Sequence, residues 1–183
     1  MPPRKKGKPV AQPASARVRE APASYDTLPV VWRANDSPKR TTPLLLDTHV
    51  WCWVLKGEQG VMASAVRQLI DDAARNGRLF ISDISCWEVA MLVSKQRLEL
   101  GEDVEDWLAH AAQTPGISVV PLTGAVLVRS TRLPGAPHPD PADRMLMAQA
   151  QLLGASLVTC DRRIVAYART VPGIPVCDAR ASR

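Results

Sequence analysis

The sequence predicts an α/β protein in three layers, a mostly parallel central sheet flanked by helices. Two observations predict it. From Pro43 onward, short apolar runs alternate with segments of helical length and helical periodicity, and strands joined through helices pair in parallel because each crossover returns the chain to the same edge. Acidic residues also fall just beyond the ends of those apolar runs, at the carboxyl edge where open parallel sheets place their ligand crevices.

Leu44-Leu45-Leu46, bounded by Pro43 and ended by Asp47, reads as a buried strand. From Met62 to Asn76, Val66, Leu69, Ile70 and Ala73 share one helical face while Arg67, Asp71, Asp72 and Arg75 lie elsewhere, and Gly77 closes the helix. Leu79–Ser82 is the second strand. Ser85 is a suitable N-cap for a helix from about Cys86 to Lys95, with Glu88 in the capping-box position three residues on. Helices are expected over Val104–Ala112 and Gly124–Leu133, with a strand at Ile117–Pro121 between them. The loop Pro134–Pro141 is rigid and turn-rich, and its last proline suits the first position of a helix reaching Leu153, ended by Gly154. Ser156–Thr159 is a fourth strand, Asp161-Arg162-Arg163 opens a short helix, and Val176 belongs to a last edge strand. No internal repeat is present.

Residues 1–43 read differently. They are rich in Ala, Ser, Arg and Pro, including Pro2, Pro3, Pro9, Pro13 and Pro22, and bury too little apolar surface to offset the entropy of ordering them. This predicts a disordered basic N-terminal extension followed by one folded domain over residues 44–183. The extension carries nine basic residues against three acids, a net of +6, whereas the whole chain is +5. The basic pI of 9.3 therefore belongs to the tail, which is either an arm for polyanion contact through counterion release or simply solvated. Met1-Pro2-Pro3-Arg4-Lys5-Lys6 has no apolar run behind it, and Leu44–Leu55, broken by Asp47 and His49, is too short for a bilayer. No membrane association and a cytoplasmic location are expected. Cys52, Cys86, Cys160 and Cys177 show no zinc or CxxC spacing and read as thiols of a reducing compartment.

The chemistry lies in the acids. Asp47 closes the first strand, Asp161 follows the fourth, Asp140 and Asp143 begin the helix that precedes it, and Glu88 lies near the start of the helix after the second. The topology brings all five to one rim. Carboxylates converging without matching Lys or Arg repel unless some are protonated or a divalent cation is bound, and hard oxygen ligands select Mg²⁺ or Mn²⁺ over zinc. Such an ion suits phosphodiester hydrolysis, since it can activate water and neutralise phosphoryl charge. Each acid also has a plainer reading: Asp143 favours the helix dipole, Glu88 completes a capping box, and Asp161 caps a helix. Asp47, ending a run of three leucines, is the costliest to leave without a partner.

Four motifs, Leu44-Leu-Leu-Asp-Thr-His-Val-Trp51, Ile81-Ser-Asp-Ile-Ser-Cys-Trp-Glu-Val-Ala90, His138-Pro-Asp-Pro-Ala-Asp-Arg144 and Leu157-Val-Thr-Cys-Asp-Arg-Arg163, occur in this order. Together they resemble the VapC toxins, PIN-domain ribonucleases of VapBC toxin–antitoxin modules, over residues 44–165. The resemblance implies a PIN-like fold and a Mg²⁺- or Mn²⁺-dependent endoribonuclease with metal-binding acids at Asp47, Glu88, Asp143 and Asp161. It further implies an accessory acid at Asp140 and orienting hydroxyls at Thr48, Ser85 and Thr159. Arg144 would contact substrate phosphate or pair with an acid, the ion pair being preferred. The implied partners are RNA as substrate, a VapB-type antitoxin and a second copy of the chain. The 43-residue extension departs from the family's usual start, and Asp83 stands where a small or apolar residue is expected.

Two alternatives share the fold: an RNA-processing nuclease without an antitoxin, and a non-catalytic RNA- or protein-binding module. Intact acids at all four positions weigh against the second. A haloacid-dehalogenase-type phosphatase needs an acid two residues after the first, where this chain has His49. Trp51, Trp53, Trp87 and Trp107 are assigned to core or interface rather than to base stacking.

Overall fold

The computed structural model describes residues 41–57 and 62–180; the basic extension through residue 40 lies outside them. The elements run β1 (Leu44–Leu46), α1 (Thr48–Lys56), α2 (Ser64–Arg75), β2 (Leu79–Ser82), α3 (Asp83–Ser94), α4 (Val104–Ala112), β3 (Ile117–Val120), α5 (Gly124–Thr131), α6 (Pro141–Leu153), β4 (Ser156–Thr159), α7 (Arg162–Thr170) and β5 (Val176–Asp178). All five strands pair in parallel in the order β3-β2-β1-β4-β5, so the expected three-layer α/β architecture is present. The chain winds outward from β1 through β2 to β3, then returns to β4 on the other side. This reversal puts the topological switch point between β1 and β4, where a parallel sheet opens a crevice at its carboxyl edge.

Burial follows that order. The central strands β1 and β4 are buried at every position, while β3 and β5 at the edges are mostly only partly buried. Because successive strand side chains point to opposite faces, Leu44 and Leu46 join Trp51, Ile70 and Val158 in one core. Leu45 and Leu157 join Leu146, Met147 and Ile164 in the other. Trp51 and Trp107 pack at a tilt within the first, with ring centroids 5.1 Å apart and planes inclined by 59°. Gly116, entering β3 at φ +85°, is needed for close approach as well as conformation, since a Cβ there would sit 2.7 Å from the Ala74 carbonyl oxygen.

Three elements differ from the sequence expectation. The stretch Thr48–Lys56 is a helix that no amphipathic pattern announces, because Thr48, Val50, Trp51 and Cys52 are all buried; Gly57 ends it in the left-handed conformation at φ +66°. The helix carrying Glu88 starts at Asp83, not Cys86, and its cap is Ser82, whose hydroxyl accepts from the Ile84 N–H at 3.2 Å. Ser85 is therefore inside the helix and Glu88 is in its second turn, too far along for a capping box. α5 ends at Thr131 rather than Leu133. Among the described residues no helix is long and apolar enough to cross a membrane. All four cysteines are free thiols, Cys52 and Cys177 buried, Cys86 and Cys160 half-buried.

Candidate functional site

Asp47 is the first residue beyond β1 and sits at the N-terminus of α1, yet its side chain makes no capping bond there. It turns inward, 5% exposed, and accepts a hydrogen bond from Thr159 Oγ1 at 2.5 Å. Thr159 is the last residue of β4, the strand beside β1. The same hydroxyl accepts from the Asp161 N–H at 2.9 Å, so one threonine links the acids that end two neighbouring strands. Burial raises the Asp47 carboxyl above its ordinary value, opposed by the Thr159 hydrogen bond and the nearby His49.

Glu88 reaches the rim from α3. Thr48, the first residue of α1, donates to its Oε2 across a buried 2.7 Å contact. Burial again pushes the acid upward, with Asp47 and Asp140 adding repulsion. A small polar frame holds α3 in place: Ser82 Oγ donates to Gln149 Oε1 at 2.5 Å, and Gln149 Nε2 donates to the Pro121 carbonyl at 3.0 Å. This ties the ends of β2 and β3 to α6.

α6 contributes two acids from its N-terminus. Asp140 is the exposed cap and accepts from the Ala142 N–H at 2.9 Å. Asp143, one turn in, is raised to about 8, first by burial and then by Asp47, Glu88, Asp140 and Asp161. Asp161 caps α7, its Oδ1 accepting from the N–H groups of Arg163 and Ile164 at 2.5 and 3.2 Å; its Oδ2 is left over for the cleft.

The five acids singled out in the sequence thus lie within electrostatic reach of one another, and among the described residues no Lys or Arg pairs with any of them. Thr48 and Thr159 hydrogen-bond to acids as expected. The Ser85 hydroxyl, by contrast, is buried without a partner. Arg144 is half-buried on α6 and forms no ion pair among the described residues, so the preferred acid pairing is corrected. Every nearby acid is already held by a hydroxyl, a backbone N–H or a histidine. Asp83 stands apart, exposed, accepting from the Leu122 N–H at 3.2 Å. Trp51 and Trp107 are core, but Trp87, one residue before Glu88, is 56% exposed.

The residue without an assigned role in the sequence is His138. Its Nδ1 lies 2.7 Å from Asp143 Oδ2 and its Nε2 3.8 Å from Asp161 Oδ2. A histidine two positions before a proline-bracketed acid carries no periodic signal; only the fold of the Pro134–Pro141 loop brings it inward.

The PIN-domain family matches residues 44–170, and the chain belongs to that family. Among curated proteins it is similar to Ribonuclease VapC22 of Mycobacterium tuberculosis (strain ATCC 25618 / H37Rv), 34% identical over 131 residues, covering 72% of this chain and 96% of that protein. Among solved structures, VapBC2 from Rickettsia felis bound to a DNA fragment from their promoter aligns with a TM-score of 0.54 at 16% identity, over 73% of this chain and 96% of that one. DNA-bound VapBC from Salmonella typhimurium aligns with a TM-score of 0.50 at 18% identity, over 74% and 97%. At these identities the structures attest the fold.

PIN-domain nucleases use a divalent metal, and the residues here fit one. The donors are carboxylate oxygens, they are mutually repulsive and raised, and the buried His138 Nε2, 3.8 Å from Asp161 Oδ2, has no hydrogen-bond partner among the described residues.

Proposed function

We propose that the chain is a Mg²⁺- or Mn²⁺-dependent endoribonuclease and the toxin of a type II toxin–antitoxin module. The observation that carries this reading is five carboxylates gathered at the switch point of a parallel sheet with no Lys or Arg among the described residues pairing them. The ribonuclease name of a relative matched along almost its whole length supports the activity. VapBC neighbours support a VapB-type antitoxin as partner.

In this reading Asp47, Glu88, Asp143 and Asp161 hold the metal and Asp140 assists at the mouth of the cleft. The bound ion would supply charge neutralisation at the scissile phosphate and a lowered pKa for attacking water. The protein's own groups fix the acids: Thr159 and Thr48 aim Asp47 and Glu88, leaving their other oxygens for the cleft. Ser85, buried with an unpartnered hydroxyl, is available to a water or carboxylate of the loaded site. Arg144 is available to a substrate phosphate. The basic extension is a second phosphate-binding element, and the working unit is a cytoplasmic homodimer.

The test is cleavage of a mixed cellular RNA pool by wild type and Asp47→Ala, each with Mg²⁺, Mn²⁺ or EDTA. Cleavage by wild type alone, abolished by EDTA, is expected. No cleavage and no metal binding under any condition would leave a non-catalytic binding module.

A further inference from the structure

His138 belongs to no established part of this site, yet its surroundings are unusual. Its side chain is 8% exposed, and its Nε2 is fully buried with no hydrogen-bond partner. A polar atom in that position costs stability unless something meets it. The nearest candidate is Asp161 Oδ2 at 3.8 Å, too far for a hydrogen bond. Two donors that each sit about 2.1 Å from one ion, however, lie roughly 3 to 4 Å apart. The ligand-capable atoms of His138, Asp143 and Asp161 all fall within 4.8 Å of one another.

The other ring nitrogen completes the pattern. Nδ1 meets Asp143 Oδ2 at 2.7 Å and the Asp140 N–H at 3.2 Å. These two demand opposite tautomers, because a carboxylate needs a ring N–H and a backbone N–H needs a lone pair. With Asp143 ionised, as a bound cation would make it, the shorter contact favours the proton on Nδ1 at the expense of the Asp140 N–H contact. Nε2, 3.8 Å from Asp161 Oδ2, then carries a lone pair. A lone pair beside a carboxylate is repulsive unless a proton or a metal ion comes between them. A histidine that donates one N–H to a carboxylate while its other nitrogen faces a metal is the arrangement that fixes ring orientation and raises ligand basicity.

We propose that His138 Nε2 is a direct metal ligand, sharing a divalent transition-metal ion with Asp161 and braced through Nδ1 by Asp143. The inference rests on the metal-site reading above and deepens it. An imidazole nitrogen among carboxylates shifts preference from Mg²⁺, which demands oxygen ligands, toward Mn²⁺ and its transition-metal neighbours. It also assigns Asp143 a bracing role in addition to any contact with the ion.

The experiment uses the full chain without a polyhistidine tag, loaded with Mn²⁺ and read by electron spin-echo envelope modulation, which reports nitrogen bound directly to the ion. The chain contains three histidines, and His110 sits on α4 against Glu102, leaving His49 and His138 as the nearby ring nitrogens. The expected result is a ¹⁴N coupling in wild type that persists in His49→Gln and vanishes in His138→Gln. Mn²⁺ affinity by calorimetry should fall about 10- to 100-fold in His138→Gln, with a smaller loss for Mg²⁺. If His138→Gln fails to fold, wild type and His49→Gln still decide, since a coupling retained without His49 has His138 as its source. Bound Mn²⁺ with no ¹⁴N coupling, or a coupling lost in His49→Gln, overturns this proposal and leaves the carboxylate site standing. Absence of any Mn²⁺ binding overturns both.

Discussion

Carboxylates at two places along one parallel sheet are treated by the chain in opposite ways. At the outer edge, Asp178 ends β5 and is met at once by Arg180, whose Nε and Nη2 donate at 2.8 and 2.5 Å. That guanidinium holds the Asp178 carboxyl below its ordinary value. At the switch point, Asp47, Glu88 and Asp143 have only hydroxyls and a histidine, and all three are pushed up, Asp143 to about 8. The sequence supplies arginines close by, at 144, 162 and 163, yet none forms an ion pair with the central acids among the described residues. A fold that pairs its acids where charge is structural leaves these unpaired where a charge must come from outside.

The largest effect that would break this contrast comes from the hydroxyl that stands in for a cation. Thr159→Val keeps the shape of the end of β4 but removes the donor to Asp47 and the acceptor for the Asp161 N–H. Residues that orient metal-holding groups typically contribute 10–100-fold in metal affinity or activity. RNA hydrolysis at saturating Mn²⁺ is expected to fall by about 10–100-fold in this variant, with a fold that circular dichroism reports as intact. Unchanged hydrolysis would mean Asp47 needs no aiming.

The pH dependence of stability sharpens the same comparison. Asp143 has a folded-state value near 8 against 3.8 for the free side chain, so the folded protein binds its proton more tightly than the unfolded chain does. Its contribution is favourable at low pH and is lost as the pH rises from about 4 through about 8. Asp178 is shifted the other way, and its contribution disappears only as the pH falls below the ordinary carboxylate range. In EDTA, the melting temperature should decline between pH 5 and pH 8, and Asp143→Asn should flatten that slope, gaining on the order of a few kcal/mol at pH 8. Added Mn²⁺ should restore wild type at pH 8 more than at pH 5, because it binds only the folded state and competes with protons for the same oxygens. A flat melting profile in EDTA would mean the acids are relieved within the protein itself.

The architecture was legible because it is written in local signals. Leu79–Ser82 and Ser156–Thr159 are short apolar runs with turn residues at both ends, and Gly154 marks the end of α6; all appear where the pattern puts them. The acids were legible for a related reason: four of them follow a strand or begin a helix and Glu88 lies in the helix after the second strand, so topology brings them together. What was hidden depends on partners distant in sequence. α1 lacks an amphipathic stripe because it is buried on several sides. The cap at Ser82 rather than Ser85 was missed because Ser82 reads as the last residue of the second strand, and the bond from Ser82 to Gln149, 67 residues away, has no sequence mark. His138 was hidden because a proline-rich loop has no periodicity from which to infer the direction of a side chain.

The smallest effect belongs to the paired edge. Asp178→Asn removes half of an ion pair whose members are about one-third exposed, 31% for Asp178 and 33% for Arg180. Solvent screening keeps such pairs to roughly 0–1 kcal/mol, so the melting temperature at pH 7 should fall by only a few degrees. Hydrolysis should stay within about twofold of wild type, because the lost charge is one the chain had already neutralised. A large loss of activity would place Asp178, through Arg180 or its neighbour Cys160, inside the catalytic field. It would dissolve the distinction between the paired edge and the unpaired centre.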